Sequence, residues 1–374
     1  MKRRLLIADD SLFFRKALRE VFEADSRIEV IGEASNGRQA VLRACELKPD
    51  LITMDVEMPI MDGISAVRQI MERCPVPILM LSALTKAGAE ATLDALDAGA
   101  VDFFPKNGSD PSDTLARSGR LLCSKVRTIA LRAQRQSVRR SASGERELKP
   151  RPARFTSRRA APEPAKSAPP SSAQGVSEPK TGFVSRSGLV AIGASTGGPA
   201  AVPLVLSKLK SDFPVPIVIA QHMPGAFTGP FANRLNSSMA INVVEAVDGV
   251  ALKPGTAYVI PGGYHGEVEG RPGAYTLRLL DPVTNEHYRP SVNRLLASVA
   301  RTAGDDSLGV VLTGMGDDGA DGAKELHKRG GQVWAQDQQT SVIYGMPAAV
   351  ARVNAAHSIL PLGRIGEALL GAMR

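Results

Sequence analysis

The 374-residue chain carries 46 basic and 38 acidic side chains, and 43% of its residues are hydrophobic. This composition supports packed cores, and the length favours two or three domains. No apolar run approaches the roughly 20 residues that a membrane-spanning helix needs, so we expect no membrane insertion. The apolar run after Arg4 ends at Asp9 and is too short for a secretory signal, which predicts a cytoplasmic protein.

The net charge of +8 is concentrated in one segment of the chain. Residues 137–182 hold ten basic and four acidic residues, whereas residues 1–136 and 183–374 are each close to neutral. A DNA-binding surface would place the basic excess on a folded domain, so we expect no nucleic-acid partner. Residues 137–182 are also rich in Pro, Ser and Ala, which predicts a flexible linker between two domains.

The three cysteines, Cys45, Cys74 and Cys123, show no metal-ligand spacing. We therefore predict reduced cysteines that pack in the interior of a cytosolic protein.

Before the linker, short apolar runs alternate with helix-like stretches. The runs are Leu5–Ala8, Ile28–Ile31, Leu51–Met54, Ile78–Leu81 and Val101–Phe104. Their nearly uniform apolarity is typical of parallel strands that are covered on both faces. Five such strands predict a doubly wound, flavodoxin-like α/β domain. Its last helix is predicted to begin near Ser112 and Asp113, which favour helix N-termini.

Charged and polar residues follow four of these strands. Asp9 and Asp10 follow the first strand, Asp55 the third, Ser82 the fourth and Lys106 the fifth. Ligands of open α/β sheets bind at the carboxyl ends of the strands, so these side chains are predicted to converge. Three carboxylates with open positions suit Mg²⁺, and a carboxylate beside that ion can attack a phosphoryl group. Alone, each residue is explained as a helix cap or a surface lysine.

Residues 1–130 resemble the receiver domain of response regulators. The motifs are Ala8-Asp9-Asp10, Met54-Asp55-Val56-Glu57-Met58-Pro59, Met61-Asp62-Gly63, Leu81-Ser82-Ala83 and Phe103-Phe104-Pro105-Lys106. The resemblance implies that Asp55 accepts a phosphoryl group and that Asp9, Asp10 and Asp55 bind Mg²⁺.

The resemblance also implies that Ser82 and Lys106 contact the phosphoryl group and that Phe103 is the switch aromatic residue. Many receivers have proline directly after the lysine. Here Pro105 precedes Lys106 and Asn107 follows it.

A second α/β pattern follows the linker. Strands are predicted at Leu189–Ile192, Val215–Ala220, Ala257–Ile260, Leu308–Leu312 and Val333–Ala335, and helices at Pro199–Leu209, Ser291–Arg301 and Gly319–Arg329. The segment Gly193-Ala194-Ser195-Thr196-Gly197-Gly198 joins a strand to a helix. Glycines permit such a sharp turn, which exposes the serine hydroxyl at a helix N-terminus. A phosphate-binding turn would have the same composition.

A serine nucleophile needs a base, and the chain has five histidines. His222 follows the predicted strand Val215–Ala220, so it is expected to lie at a strand end as Ser195 does. His265, His287, His327 and His357 lie in other contexts: a glycine-rich turn, a polar loop, a predicted helix and a late apolar run, respectively. Asp317 and Asp318 follow a third strand and offer an orienting carboxylate.

The second domain resembles the catalytic domain of the CheB family of chemotaxis protein-glutamate methylesterases. The matching segments are Ile192–Pro199, Gln221-His222-Met223-Pro224, Phe227-Thr228, Arg234-Leu235-Asn236, Ile260-Pro261-Gly262-Gly263 with His265, Arg289-Pro290-Ser291-Val292, Leu312–Gly319, Ala335-Gln336-Asp337 and Gly345-Met346-Pro347. This resemblance implies that Ser195 is the nucleophile, His222 the base and Asp318 the orienting acid.

The resemblance further implies that Thr196 lines the site and that the backbone around Met315 and Gly316 contacts the oxyanion. Two positions depart from the family pattern. Asp317 stands where asparagine is frequent, and Asn293 stands where aspartate is usual.

Together the two resemblances predict a methylesterase that is activated by phosphorylation of its receiver. Its expected partners are methylated chemoreceptor cytoplasmic helices, as substrate, and a chemotaxis histidine kinase, as phosphodonor. The family also implies deamidation of receptor glutamines. Because both domains lie in one chain, we expect the unphosphorylated receiver to inhibit the catalytic domain. We expect the esterase chemistry to need no cofactor.

Two alternatives remain open at this stage. A receiver can control a DNA-binding output, although the near-neutral segment 183–374 argues against one. An ordinary α/β-hydrolase would need the order Ser, acid, His, which His327 or His357 would provide in place of His222.

Overall fold

The chain is described by a computed structural model covering residues 2–106, 118–131, 181–186, 188–282 and 288–373. Both predicted α/β domains are confirmed. Nearly all of the predicted linker 137–182, and the predicted helix start at Ser112 and Asp113, lie outside these residues. The domain boundaries 1–136, 137–182 and 183–374 therefore remain predictions.

The N-terminal domain is a five-stranded parallel sheet in the order β2-β1-β3-β4-β5. Its strands are β1 Arg3–Ala8, β2 Ile28–Ala34, β3 Leu51–Asp55, β4 Ile78–Ala83 and β5 Asp102–Lys106. Its helices are α1 Leu12–Glu23, α2 Gly37–Leu47, α3 Gly63–Arg73, α4 Lys86–Asp97 and α5, described over 118–131. This strand order places the carboxyl ends of β1, β3 and β4 side by side, which is where the acidic residues were predicted to meet.

A side-chain cap begins each of the first four helices. Ser11, Asn36, Asp62 and Thr85 accept a hydrogen bond from the backbone N–H three residues later, at 3.2, 2.9, 2.6 and 3.0 Å. Such caps satisfy amides that have no partner in the first turn of a helix. The short βα loops are thereby fixed at the edge of the sheet that carries the acidic residues.

The prediction of three reduced cysteines is wrong for two of them. Cys45 and Cys74 form a disulfide, with Cα atoms 5.4 Å apart. Helices α2 and α3 pack side by side and bring together two positions that are 29 residues apart in sequence. Cys123 is free and buried on α5.

The C-terminal domain contains a seven-stranded sheet in the order β15-β14-β13-β6-β7-β10-β8, in which every neighbouring pair is parallel. Its strands are β6 Leu189–Ala194, β7 Ile217–Gln221, β8 Asn242–Glu245, β10 Thr256–Val259, β13 Ser307–Val311, β14 Gln332–Gln336 and β15 Ser358–Leu360. Strands β6, β7 and β13 adjoin at its centre, so the segments after them share one edge.

Six helices and a small antiparallel sheet complete this domain within the described residues. The helices are α6 Gly198–Leu206, α7 Gly225–Ser238, α8 Val292–Thr302, α9 Ala320–Lys328, α10 Met346–Arg352 and α11 Leu362–Ala372. The small sheet has the order β11-β12-β9, with strands β9 Val250–Ala251, β11 His265–Arg271 and β12 Ala274–Leu280. Sequence patterns did not predict α7, α10, α11, this small sheet or the strands β8 and β15 of the main sheet.

The two domains are in contact. Phe103 of the receiver stacks on Phe227 of α7 with ring centroids 4.4 Å apart, and both rings are buried. On the surface of α4, Asp94 and Asp97 form ion pairs with Arg234 of α7. The contact therefore combines an apolar centre with a charged rim. Among the described residues, no helix is both long and apolar enough for a bilayer crossing.

Candidate functional sites at two sheet edges

The receiver edge brings together the predicted charged groups. Oxygen atoms of Asp9, Asp10 and Asp55 lie within 4.8 Å of one another. Lys106 Nζ lies 2.8 Å from Asp9 Oδ2 and 2.8 Å from Asp55 Oδ2. The lysine ammonium thus partly balances the charge of three converging carboxylates, and the oxygen-only set suits a hard divalent cation.

Burial raises the pKa of two of these carboxyl groups, those of Asp9 and Asp55. Burial raises the pKa of Asp55 to about 6; Lys106 acts in the opposite direction, and the neighbouring Asp9 adds to the increase. The pKa of Asp9 is also raised, mainly by burial. Carboxylates that resist ionisation in this way gain from a cation that favours their charged forms. The donor set therefore fits Mg²⁺.

The predicted phosphate-contacting Ser82 is buried beside this cluster, and its hydroxyl is engaged elsewhere. Ser82 Oγ donates to the Gly88 carbonyl at 3.1 Å and accepts from Thr92 Oγ1 at 2.6 Å. Both partners belong to α4, the helix that also carries the acidic residues facing the catalytic domain. The end of β4 is therefore linked by hydrogen bonds to the helix whose later residues make the domain contact.

Ser195 lies at the turn between β6 and α6, as the sequence predicted. The surrounding glycines are required by close packing: a Cβ on Gly193 would lie 2.2 Å from Val292 Cγ1. Gly197 adopts φ +78°, and a Cβ there would lie 2.5 Å from Val342 Cβ. No larger residue fits at either of these two glycine positions. The turn presents the Ser195 side chain at the N-terminal end of α6.

His222 lies on the neighbouring strand at the matching position. Strands β6 and β7 pair in parallel with Ala194 opposite Gln221, so Ser195 and His222 are the next residues on each chain. The His222 backbone N–H donates to the Ala194 carbonyl at 2.9 Å. This register brings Ser195 and His222, the predicted nucleophile and base, to one edge of the sheet.

Asp318 completes the arrangement from the loop after β13. Its Oδ2 atom lies 2.8 Å from His222 Nε2 and accepts from the Val292 amide at 2.7 Å. Its Oδ1 atom accepts from the Asn293 amide at 2.9 Å and from Ser291 Oγ at 3.1 Å. The carboxylate is thereby anchored to the first residues of α8.

These contacts keep Asp318 ionised. Burial acts to raise the pKa of the carboxyl group, but hydrogen bonds from His222 and the α8 amides hold it below its ordinary value. An ionised Asp318 accepts the Nε2 proton, so Nδ1 is the histidine nitrogen left to accept a proton from serine.

One contact expected of the predicted nucleophile, base and acid is not made in this conformation. Within the described residues, the Ser195 hydroxyl forms no hydrogen bond with His222. Catalytic hydrogen bonds are frequently long in enzymes without substrate and tighten when substrate binds. The roles of Ser195, His222 and Asp318 accordingly stay predictions. Of the two contacts expected among them, the one between His222 and Asp318 is present.

The predicted oxyanion residues flank Ser195. Thr196 is buried and its carbonyl accepts a hydrogen bond from Thr313 Oγ1 at 2.9 Å. In the part of the chain that the structure describes, the amides of Met315 and Gly316 have no hydrogen-bond acceptor. Orphan amides beside a nucleophile can bind a developing oxyanion.

Two of the other histidines are occupied elsewhere. His327 and His357 stack on each other with centroids 4.4 Å apart. His327 Nδ1 contacts the Ala355 carbonyl, and His357 Nδ1 accepts from the Val333 amide. His265 is buried at the start of β11, and His287 lies outside the described residues. The α/β-hydrolase alternative with a late histidine therefore loses its support.

Comparisons with known proteins match this two-site architecture. Residues 5–116 match the response regulator receiver domain family, and residues 190–369 match the CheB methylesterase family. The "protein-glutamate methylesterase/protein-glutamine glutaminase 1" of Vibrio cholerae is 46% identical, with 98% of both chains covered. The protein-glutamate methylesterase/protein-glutamine glutaminase of Alkalilimnicola ehrlichii is 47% identical, with 99% of both chains covered. The chain belongs to the protein-glutamate methylesterase/protein-glutamine glutaminase family.

A solved structure matches the second half. The crystal structure of the Thermotoga maritima CheB methylesterase catalytic domain is 38% identical, covers 49% of this chain and 97% of that chain, and gives a TM-score of 0.48.

Sequence reasoning did not single out two residues at the methylesterase-like site. Gln221 Nε2 donates to the Ser195 carbonyl at 3.0 Å and to the His222 carbonyl at 3.2 Å, which joins the two strand ends. Tyr288 stacks on the His222 ring. Gln221 lies in the segment Gln221-His222-Met223-Pro224 that matches the family, so its role was open to prediction there. Tyr288 follows a polar loop, and no sequence pattern around it indicates a contact with His222.

The departure at Asn293 has a clear structural effect. Asn293 Oδ1 accepts from the amides of Gly319 and Gly322, both at 2.9 Å, and so caps the start of α9. Its own amide binds Asp318. A neutral side chain thus performs the cap without placing a second negative charge beside the acid. Asp317, the other departure, is exposed at the mouth of the site.

We predict that Asn293→Ala lowers the free energy of unfolding by about 1–2 kcal/mol, because the amides of Gly319, directly before α9, and Gly322, in its first turn, lose their acceptor. Asn293→Asp should keep the cap but raise the pKa of Asp318 by like-charge repulsion. In the parent chain the pKa of Asp318 is lowered. The stability that the ionised Asp318 contributes to the folded state is therefore lost as the pH falls through that pKa. In Asn293→Asp this loss should begin at a higher pH.

Urea unfolding across the acid range tests both variants, with the exposed Asn233→Ala on α7 as a control. An unchanged acid dependence in Asn293→Asp would contradict the electrostatic part, and a stable Asn293→Ala would contradict the capping part.

Proposed function

We propose that this chain hydrolyses glutamyl methyl esters on chemoreceptors to glutamate and methanol, under the control of its receiver. The observation that carries the proposal is the His222–Asp318 hydrogen bond, 2.8 Å long, beside Ser195 at the central edge of the sheet. Membership of the methylesterase/glutaminase family supports the reaction class. The same site would deamidate receptor glutamines, since an amide and an ester share the acyl centre.

The reaction proceeds by acyl transfer. Ser195 Oγ attacks the γ-carbonyl carbon of the side-chain ester while His222 Nδ1 takes its proton. The carbonyl oxygen becomes an oxyanion within reach of the free amides of Met315 and Gly316; a single such donor contributes about 3–4 kcal/mol in characterised hydrolases. The imidazolium then protonates the departing methoxide, and methanol leaves.

Water completes the cycle. His222 removes a proton from the incoming water, whose oxygen attacks the acyl-enzyme carbonyl. The second oxyanion collapses, Ser195 recovers its proton and a glutamate carboxylate is released. Asp318 stays ionised throughout and stabilises the imidazolium in each half-reaction. A glutamine substrate differs only in its leaving group, which departs as ammonia.

The partners follow from the two domains. We propose methylated cytoplasmic helices of chemoreceptors as substrate, a chemotaxis histidine kinase as phosphodonor and the cytoplasm as location. The near-neutral catalytic half gives no support to a nucleic-acid partner.

In the receiver, a carboxylate oxygen of Asp55 would attack the phosphorus of the donor's phosphohistidine. The bond from phosphorus to the histidine nitrogen would break, and the kinase imidazole would leave. Asp9, Asp10 and Asp55 are the residues proposed to hold Mg²⁺, which when bound would offset negative charge on the phosphoryl oxygens. Lys106 would pair with a phosphoryl oxygen from the opposite side, and its present contacts with Asp9 and Asp55 support this.

The receiver would inhibit the catalytic domain by docking. Helix α7, which carries Phe227 and Arg234 of the domain contact, begins three residues after His222. At a second point of contact between the domains, Ser124 Oγ of α5 lies 3.8 Å from Met315 Sδ, in the loop after β13. A receiver held at both positions limits access of a receptor helix to Ser195.

Phosphorylation would weaken this docking through α4. A phosphoryl group on Asp55 offers oxygens that compete with the Gly88 carbonyl for the Ser82 hydroxyl. Loss of that bond would loosen the first turn of α4, where the Gly88 carbonyl would keep only its contact with Thr92. The last turns of the same helix carry Asp94 and Asp97. The proposed switch is therefore a change of hydrogen-bond partner at the start of α4. This change would weaken the contact that the end of the same helix makes with the catalytic domain.

The triad is tested by methanol release from methylated receptor membranes. Ser195→Ala and His222→Ala should abolish detectable release, and Asp318→Asn should lower kcat about 10³–10⁴-fold because the histidine loses its orienting acceptor. His327→Ala is the matched control and should retain activity within about threefold. An active His222→Ala would transfer the role of base to another residue and contradict the proposed mechanism.

The docking is tested by charge reversal at the rim of the domain contact. Asp94→Lys with Asp97→Lys should raise the activity of the unphosphorylated chain about three- to tenfold, because two attractive contacts with Arg234 become repulsive. Adding Arg234→Glu should restore the attraction and lower the activity again.

Glu72→Lys, on the exposed side of α3, is the control for the added charge. Equal activity of the unphosphorylated double variant, the triple variant and the parent chain would contradict inhibition by docking.

A further inference from the structure

Tyr288 covers one face of the proposed catalytic base. Its ring lies parallel to the imidazole of His222, with centroids 4.8 Å apart and an interplanar angle of 13°. Tyr288 is half-buried and lies three residues before Ser291, which caps α8 and binds Asp318. The stacked ring and the anchored carboxylate are thus held by one continuous stretch of chain.

The other end of Tyr288 rests on the predicted oxyanion loop. A Cβ on Gly316 would lie only 2.4 Å from the phenol oxygen, so glycine is required for this approach. Gly316 also adopts φ +92°, a conformation that favours glycine. Tyr288 therefore spans from the base to the backbone that would bind the oxyanion.

The imidazole needs this support because the hydrogen bond to Asp318 fixes only one of its atoms, Nε2. With Cγ held by the side chain and Nε2 by Asp318, the ring is still able to tilt about the line that joins these two atoms. A tilt would turn Nδ1 away from Ser195, whose hydroxyl is not yet bonded to it. A parallel aromatic ring restricts the tilt, since separating or rotating stacked rings sacrifices dispersion and quadrupole attraction.

We propose that Tyr288 is a positioning residue of the acyl-transfer site: its ring, rather than its hydroxyl, holds His222 in the plane that presents Nδ1 to Ser195. The inference rests on the proposed triad and adds a fourth side chain to it. A ring that only lined the substrate cleft would affect substrate binding, whereas a positioning ring affects the chemical step.

The test compares three variants of the full chain, Tyr288→Phe, Tyr288→Leu and Tyr288→Gln. Methanol release from methylated receptor membranes gives kcat and KM, and the rate of labelling by a fluorophosphonate reports the reactivity of Ser195 without receptor binding. Tyr288→Phe should stay within twofold of the parent on both measures. Tyr288→Leu and Tyr288→Gln should lose about tenfold in kcat and in labelling rate, with KM unchanged.

Tyr264→Leu, at an exposed tyrosine of the same domain, is the matched control and should leave both rates unchanged. Labelling is normalised to the folded fraction from thermal unfolding, and Tyr288→Gln covers the case in which Tyr288→Leu fails to fold. A kcat within twofold in the ring-free variants, or an equal loss in Tyr288→Phe, overturns the inference, as does a change confined to KM. Ser195→Ala is run alongside: if it remains active, the triad itself fails.

Discussion

The buried carboxylate of Asp318 is the point on which the catalytic half depends. It accepts four hydrogen bonds: one from His222 and three from Ser291, Val292 and Asn293 at the start of α8. Isolated, a carboxylate in this position would favour its neutral form, because burial disfavours charge. The helix start therefore makes an ionised acid possible inside the domain, and the ionised acid in turn selects the orientation of the histidine.

Both halves of the chain use the same property of parallel sheets. Strands that run in one direction end at one edge, so residues far apart in sequence meet there. In the receiver this edge gathers three carboxylates and Lys106, and in the catalytic domain it gathers a hydroxyl, an imidazole and a carboxylate. The domain contact joins Phe103 of β5 to Phe227 of α7, and it is the route that we propose for control of the catalytic domain by phosphorylation.

Most of the site residues that the sequence could predict lie just after the predicted strands. The runs before Ser195 and His222 are uniformly apolar, so the central strands and the placement of these two residues followed from hydrophobic periodicity. The edge strands β8 and β15 were not predicted, and Asp318 was chosen over Asp317 from the family resemblance. Helix α7 was missed although its buried residues Phe227, Phe231 and Leu235 recur every four positions. The stacking of Tyr288 was missed because contacts between side chains from different loops leave no periodic signal. The relative placement of the domains and the disulfide were unpredictable for the same reason.

The tautomer of His222 tests the central claim most directly. Nitrogen-15 NMR of the imidazole, recorded where the ring is neutral, distinguishes a proton on Nε2 from one on Nδ1. The account predicts a proton on Nε2 in the parent chain, bonded to Asp318, and loss of this preference in Asp318→Asn. A parent chain with its proton on Nδ1, or a tautomer unaffected by Asp318→Asn, would contradict the account.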